Sequence, residues 1–288
     1  MDIKLLRAFV TLAEQGNYHA AAEALYLTQS ALTKQIQALE HLTGVSLFHR
    51  GRHGAKLTVT GRQLYGRTCE LLKHHEEFLE YTRSIEKGNA GKLALGFGIS
   101  SFRLAPALVN LFREQFPEVE VSLSDIPSNV QCRMLTEGQL QAGFIRLPMT
   151  EPLQVKVLMD ENLVLAAPSG ANVDPADIRS LFKKHPLLQI NPRRGPCLAE
   201  QVTRFLEVNH LSAKPASAAD DIHALLALIA AGNGVALLPS GISHFLPAGV
   251  TVVRPEGMHT LWQIGVAWNP KIKDALRDKF LQMMSEAT

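Results

Sequence analysis

From Thr60 to about Lys87 the chain carries no proline and repeats an apolar residue every seven positions, at Leu64, Leu71, Phe78 and Ile85, with Tyr65, Leu72 and Leu79 on the adjoining row. That spacing is the seam of a coiled coil. A helix of roughly 27 residues rising ~1.5 Å per residue extends about 40 Å, too far to be covered by the sixty residues ahead of it. It calls for a partner chain, the alternative being a core helix within one subunit. Gly88-Asn89-Ala90-Gly91 ends it as a hinge. The 288 residues therefore divide into a small domain over 1–59, a linker helix and hinge over 60–88, and a larger domain over 89–288.

The small domain reads as three helices and a hairpin. Leu5, Leu6, Phe9, Val10, Leu12 and Ala13 recur with a helical period and stop at Gly16-Asn17. A short helix around Ala20, Ala21, Ala22, Ala24 and Leu25 follows, its small side chains allowing another helix to cross closely. Thr28 is placed to cap a third helix whose buried stripe is Leu32, Ile36 and Leu39. Its other face carries Gln29, Ser30, Thr33, Lys34 and Gln37, donors and acceptors of the length that reads base edges and phosphates in a major groove. A polar helix face is by itself more often just solvated; the order of the three helices favours DNA. Leu47-Phe48-His49-Arg50-Gly51-Arg52-His53-Gly54-Ala55-Lys56-Leu57-Thr58 then reads as a β-wing whose Arg50, Arg52 and Lys56 touch the phosphate backbone or minor groove, or as an ordinary basic hairpin.

The charge agrees. The net charge is only +2, but up to residue 67 the cations Lys4, Arg7, Lys34, Arg50, Arg52, Lys56, Arg62 and Arg67 face only Asp2, Glu14, Glu23 and Glu40. No apolar run approaches the ~20 residues of a membrane span, and Met1-Asp2-Ile3-Lys4 leads directly into a helical pattern, so a cytoplasmic protein with no membrane partner is expected. Cys69, Cys132 and Cys197 are odd in number and widely spaced, which points to reduced thiols rather than a zinc site.

The run Ala20-Ala21-Ala22-Glu23-Ala24-Leu25-Tyr26-Leu27-Thr28-Gln29-Ser30-Ala31-Leu32-Thr33-Lys34-Gln35-Ile36-Gln37-Ala38-Leu39-Glu40, followed by Leu47-Phe48-His49-Arg50 and Leu57-Thr58-Val59-Thr60-Gly61, resembles the LysR-type transcriptional regulators. Ser30 stands where that family usually has proline, Thr33 where it has serine, and Lys34 where arginine is common. The resemblance implies a fold of winged helix-turn-helix, long linker helix and two-lobed α/β effector domain like that of periplasmic binding proteins. It also implies paired linker helices presenting two recognition helices to a pseudo-palindromic operator. The assembly would be a homodimer at least and often a homotetramer, with RNA polymerase a further partner if the regulator activates.

After the hinge, strands alternate with helices. Lys92–Gly98, Glu118–Asp125 and Ala142–Ile145 read as strands separated by helices over Leu104–Phe116 and Asn129–Leu140, a βαβαβ unit with a parallel sheet. A second set begins near Leu163–Ala167 and continues through Leu187–Ile190, Val235–Leu238 and Trp262–Trp268, with a helix over Ala275–Met284 returning to the first lobe. The expected lobes are about 91–160 with 269–288, and 161–268. Ligands of such sheets bind beyond the carboxyl ends of the strands. Ser100, Ser101, Ser128, Asn129, Arg146, Asn191 and Arg193 occupy such ends, and Asp220 can reach ligand from the second lobe. Serine and asparagine before a helix are otherwise plain caps.

The resemblance continues through Leu228–Pro239 and through Ala142-Gly143-Phe144-Ile145-Arg146-Leu147-Pro148, which is similar to the subgroup controlling aromatic-compound degradation. It implies that Ser100 and Ser128 bind an effector carboxylate and that Arg146 lines a second, more buried pocket. An organic acid is the effector class this favours. No catalytic residue, metal ligand or cofactor site is expected: His74-His75 and Asp220-Asp221 are adjacent pairs that point apart. Two rivals stay open. A solute-binding protein shares the two-lobed fold but leaves the first 90 residues unexplained. A redox switch at Cys197, beside Arg193 and Arg194, has no evident resolving cysteine.

Overall fold

The computed structural model describes residues 2–49, 54–149 and 152–287 and divides into two compact units, 1–84 and 85–288. In the first unit, helix α1 (Ile3–Gln15) starts on the Asp2 carboxylate, which accepts from the Lys4 amide at 3.0 Å, and stops at Gly16, whose φ of 63° places it in the left-handed region. Asn17 caps α2 (Tyr18–Ala24), accepting from the amides of His19 and Ala20. Thr28 caps α3 (Gln29–Thr43) through the Ala31 amide at 3.2 Å. Ala21 and Ala22 are buried where α2 meets its neighbours, beside Phe9, Leu12, Leu32, Ile36 and Leu39. The hairpin closes through the Phe48–Leu57 bridge, and the Glu40 carboxylate ties it to α3 by accepting from the Leu47 amide at 2.6 Å.

Helix α4 (Val59–Glu86) runs 28 residues. Its heptad pattern is split between two uses. Leu64, Tyr65, Cys69 and Leu72 pack onto the core of the small domain, whereas Leu71, Phe78, Leu79, Tyr81 and Ile85 stay exposed. No helix among the described residues is long and apolar enough to cross a membrane.

The second unit begins with β1 (Gly91–Phe97), a single 3-10 turn at Ile99–Ser101, α5 (Leu104–Gln115), β2 (Val119–Asp125), α6 (Ser128–Thr136) and β3 (Ala142–Arg146). β1 pairs in parallel with β2 and β3, the expected βαβαβ unit. Then come β4 (Gln154–Pro168), α7 (Ile178–Lys184), β5 (Leu188–Ile190), α8 (Pro196–Val208), β6 (Ala216–Ala219), α9 (Ile222–Ala230), β7 (Ala236–Pro239), a 3-10 turn at Ser240–His244, β8 (Val250–Val253), β9 (Leu261–Trp268) and α10 (Ala275–Ala287). The strand expected to start at Leu163 starts nine residues earlier in the chain, because Gln154-Val155-Lys156-Val157 also alternates polar and apolar. A register shift between Val157 and Met159 lets β4 serve both lobes, pairing first with β9 and then with β7 and β8.

Strand β9 differs from the sequence reading, which put Trp262–Trp268 wholly in the second lobe. Ile264–Ala267 pairs with β3 of the first lobe, while the other edge of the same strand pairs with β4. The two lobes are thus joined by two long antiparallel strands. Helix α10 returns to the first lobe, its Phe280, Met283 and Met284 buried with Phe112 and Leu93.

Candidate functional site

The exposed face of α3 holds the polar side chains singled out in the sequence, but they are not equally free. The Thr28 hydroxyl is committed to the helix cap and lies 3.1 Å from the Ser30 hydroxyl. Thr33 donates its hydroxyl proton to the Gln29 carbonyl at 2.9 Å, leaving it an acceptor. Gln29, Lys34 and Gln37 are exposed along the same helix, and Lys56 is exposed at the base of the wing. Arg50 and Arg52 lie outside the described residues. Sequence reasoning missed Tyr26, which sits 97% exposed in the turn before α3 with φ of 55°. Behind this face the Tyr65 phenol donates to Glu14 at 3.2 Å; desolvation, then the hydrogen bonds to Cys69 and Glu14, push it up to about 12.

In the second unit a cavity of about 330 Å3 opens between the lobes. The glycine at position 98 is extended and leads into the turn that presents Ser100, while the Ser101 hydroxyl folds back to donate to the Gly98 carbonyl at 3.1 Å. Ser101 is therefore a buried turn-former with its hydroxyl spent. Ser128 opens α6, whose Val130 and Gln131 amides donate to the Pro127 carbonyl; its Oγ accepts from the Arg146 amide at 3.1 Å. On the same helix Gln131 is fully buried, and its side-chain amide donates to the carbonyls of Ile126 (2.7 Å) and Phe144 (3.2 Å). Gly96 and Gly143 face each other across β1 and β3 and leave the notch that Gln131 fills, since a Cβ on either would come within 2.7 Å of its Oε1. Sequence reasoning missed Gln131, for which the paired glycines were the only trace.

Arg146 leaves the end of β3, donates from Nη1 to the Cys197 carbonyl at 2.9 Å and stacks its guanidinium 4.1 Å from the Trp262 ring centroid. Desolvation lowers it to about 10 against the opposing fields of Cys197, Glu200 and Glu161. Among the described residues no carboxylate lies within ion-pair distance of it. The buried Glu161 is already satisfied, accepting from the amides of Asn162 (2.8 Å) and Ser240 (3.1 Å) and from the Ser240 hydroxyl.

Of the expected effector residues, Ser100, Ser101, Ser128, Asn129, Arg146 and Asp220 line this cavity, and Asn191 and Arg193 do not. Asn191 stands behind the site, donating its side-chain amide to Asp220 at 3.2 Å and accepting from the Arg193 amide. The turn built on the Asn191 carbonyl brings Arg194 to the cavity instead. Asp125, His223 and Trp262 also line it; Trp262 is buried and its Nε1 proton has no partner among the described residues. Cys197 lies in the wall, Cys132 is on the buried face of α6 in the first lobe, and none of the three cysteines forms a disulfide.

A winged helix-turn-helix joined by a long helix to a two-lobed binding domain defines a DNA-binding transcriptional regulator. Residues 3–62 match the bacterial regulatory helix-turn-helix of the LysR family and residues 86–288 match the LysR substrate binding domain. The chain belongs to the LysR family of transcriptional regulators. It is 32% identical over 247 residues to the HTH-type transcriptional regulator TfdS of Cupriavidus pinatubonensis, covering 84% of each protein. The crystal structure of CbnR, a LysR family transcriptional regulator, superposes with a TM-score of 0.68 at 25% identity, covering 99% of this chain and 100% of that one. Full-length CbnR in complex with its target DNA superposes with a TM-score of 0.74 at 23% identity over 100% of this chain and 99% of that one.

Proposed function

We propose that this regulator binds operator DNA as a homodimer or a tetramer built from it, and that a small organic acid in the cleft of the second unit controls its action, with no catalysis. The DNA contacts in this reading are Gln29, Ser30, Thr33, Lys34 and Gln37 on α3, with Thr28 as its cap, and Arg50, Arg52 and Lys56 on the wing. If the protein activates, RNA polymerase is the further partner. The observation that carries the acid reading is the cavity wall itself. Ser100, Ser128 and the start of α6 line one cavity with the half-buried Arg146 guanidinium, which has no described carboxylate within ion-pair distance. A carboxylate supplies the missing charge.

A thermal-shift screen of small organic acids on the full-length protein tests this, because a ligand that binds the folded form raises its melting point. Ser100→Ala with Ser128→Ala should abolish the shift and the effector response while operator binding in a gel shift persists. A normal response in that double variant would move the ligand elsewhere. Failure of the wild type to form any specific complex with its own upstream DNA at moderate salt would favour the solute-binding rival.

A further inference from the structure

The way α2 ends fixes the backbone of one residue in the turn before α3. The Leu27 amide donates to the Ala22 carbonyl at 2.8 Å and the Tyr26 amide to the Glu23 carbonyl at 3.0 Å, the pair of bonds that closes a helix through a left-handed residue. Tyr26 is that residue, with φ of 55°. Helices α1 and α3 also end on a left-handed residue, and there it is a glycine, Gly16 and Gly44. Glycine adopts this conformation without steric cost and asparagine with little, whereas a bulky side chain in it is an outlier.

No contact within the fold offsets that cost. The side chain is 97% exposed, so the ring rests on no neighbour among the described residues. The other two side chains in the same conformation, His210 and His259, are held by tertiary hydrogen bonds on their carbonyls, from Arg179 at 3.0 Å and from Gln201 at 2.6 Å. A strained residue that the fold does not explain points to a use outside it. Two positions on, Thr28 caps α3, and Gln29 and Ser30 open its polar face. Three Cα steps of 3.8 Å keep Tyr26 within about 11 Å of Gln29, at the end of the helix that enters a groove. The major groove is about 12 Å wide. A helix seated in it therefore has a wall of phosphates about 6 Å to each side of its axis, within reach of a tyrosine carried just ahead of the helix, and a phenol is a phosphate donor.

We infer that Tyr26 is a DNA-contacting residue, its phenol donating to a backbone phosphate beside the bases that α3 reads. This rests on the reading of α3 as the DNA-facing helix and adds a contact that belongs to neither that helix nor the wing. Because the contact is to the backbone, it strengthens binding to every sequence alike. Because the phenol is neutral, it releases no counterion and leaves the salt dependence as it is.

The experiment titrates the full-length protein by fluorescence anisotropy against two duplexes of equal length, its own upstream DNA and a random sequence, at several salt concentrations, with a melting curve for each variant. Tyr26→Phe keeps the ring and removes the hydroxyl. It should weaken both duplexes by about fivefold or more, with the ratio between them, the salt slope and the melting point unchanged. Tyr26→Asn suits the left-handed turn and removes the ring; it should weaken DNA at least as much and melt no lower than wild type. A loss below about twofold in Tyr26→Phe, a loss confined to one duplex or a shallower salt slope would overturn the inference, as would a clear drop in the melting point of Tyr26→Asn, which would make the ring part of the fold. Gln29→Ala separates the two readings. If it erodes the preference for the upstream duplex while the Tyr26 variants bind normally, only the Tyr26 contact falls; if none of the three alters DNA binding, the reading of α3 falls with it.

Discussion

Replacing Phe78 with alanine tests whether the exposed row on α4 is a subunit seam. Phe78 is 64% exposed, with Leu71 at 50%, Tyr81 at 50%, Ile85 at 47% and Leu79 at 39%. A phenylalanine presents about 200 Å2, so about 130 Å2 of this ring is open to a partner. At ~25 cal/mol per Å2 its full coverage is worth about 3 kcal/mol per chain, of which the alanine variant loses about 2. A symmetric dimer loses that twice, so the loss is about 4 kcal/mol if the partner covers the ring completely and about 2 if it covers half. The dimer dissociation constant then rises between about 30-fold and about 1000-fold. Sedimentation velocity over a dilution series measures it, with Glu80→Ala as the control two positions away on a different face of the helix. A change below threefold for Phe78→Ala, with an unaltered melting profile, would refute the seam.

Three further outcomes are expected. Gly241→Ala places a Cβ 2.4 Å from the Ile99 carbonyl oxygen and 3.1 Å from the Ser100 Cα; because these are backbone atoms the turn carrying Ser100 must shift. It should cost about 1–3 kcal/mol by calorimetric melting and weaken effector binding tenfold or more, and normal affinity would disprove the coupling. For Asp125 the folded carboxyl lies above its unfolded value of 3.8, so above both values the charged form burdens the folded state and below both it does not. Asp125→Asn should therefore melt no lower than wild type at pH 7, the difference fading as the pH falls below 4; a clear destabilisation at pH 7 would contradict the assignment. Gln29→Ala should cost about 1–3 kcal/mol of discrimination between operator and random DNA, whereas Lys56→Ala should weaken both alike and flatten the salt dependence. Equal losses of specificity in the two variants, measured by titration at several salt concentrations, would reverse these roles.

What was legible in the chain was whatever local pattern enforces. Caps at Thr28 and Gly16, the Leu32, Ile36 and Leu39 stripe, the βαβαβ alternation and the return of α10 all follow from neighbours in sequence. The same holds for Ser100, Ser128 and Arg146, because the end of a strand is readable wherever the strand is. The positions it did not reach depend on partners far along the chain. β9 reads as one more strand of the second lobe until β3 pairs with it, and Arg194 rather than Arg193 enters the cavity because the Asn191 carbonyl sets the turn. Gln131 is an ordinary polar residue on α6 until two glycines from separate strands open a slot for it.

The linker shows the division most clearly. Its seven-residue period and lack of proline made it a long helix with a surplus apolar face, a matter of local periodicity alone. Only the tertiary structure decided that the first part of that face, Leu64, Tyr65 and Leu72, is consumed by the small domain's own core, leaving the row from Leu71 to Ile85 unpaired. The physical reason is that a helical period states which side chains share a face, whereas burial depends on which surface arrives to meet that face.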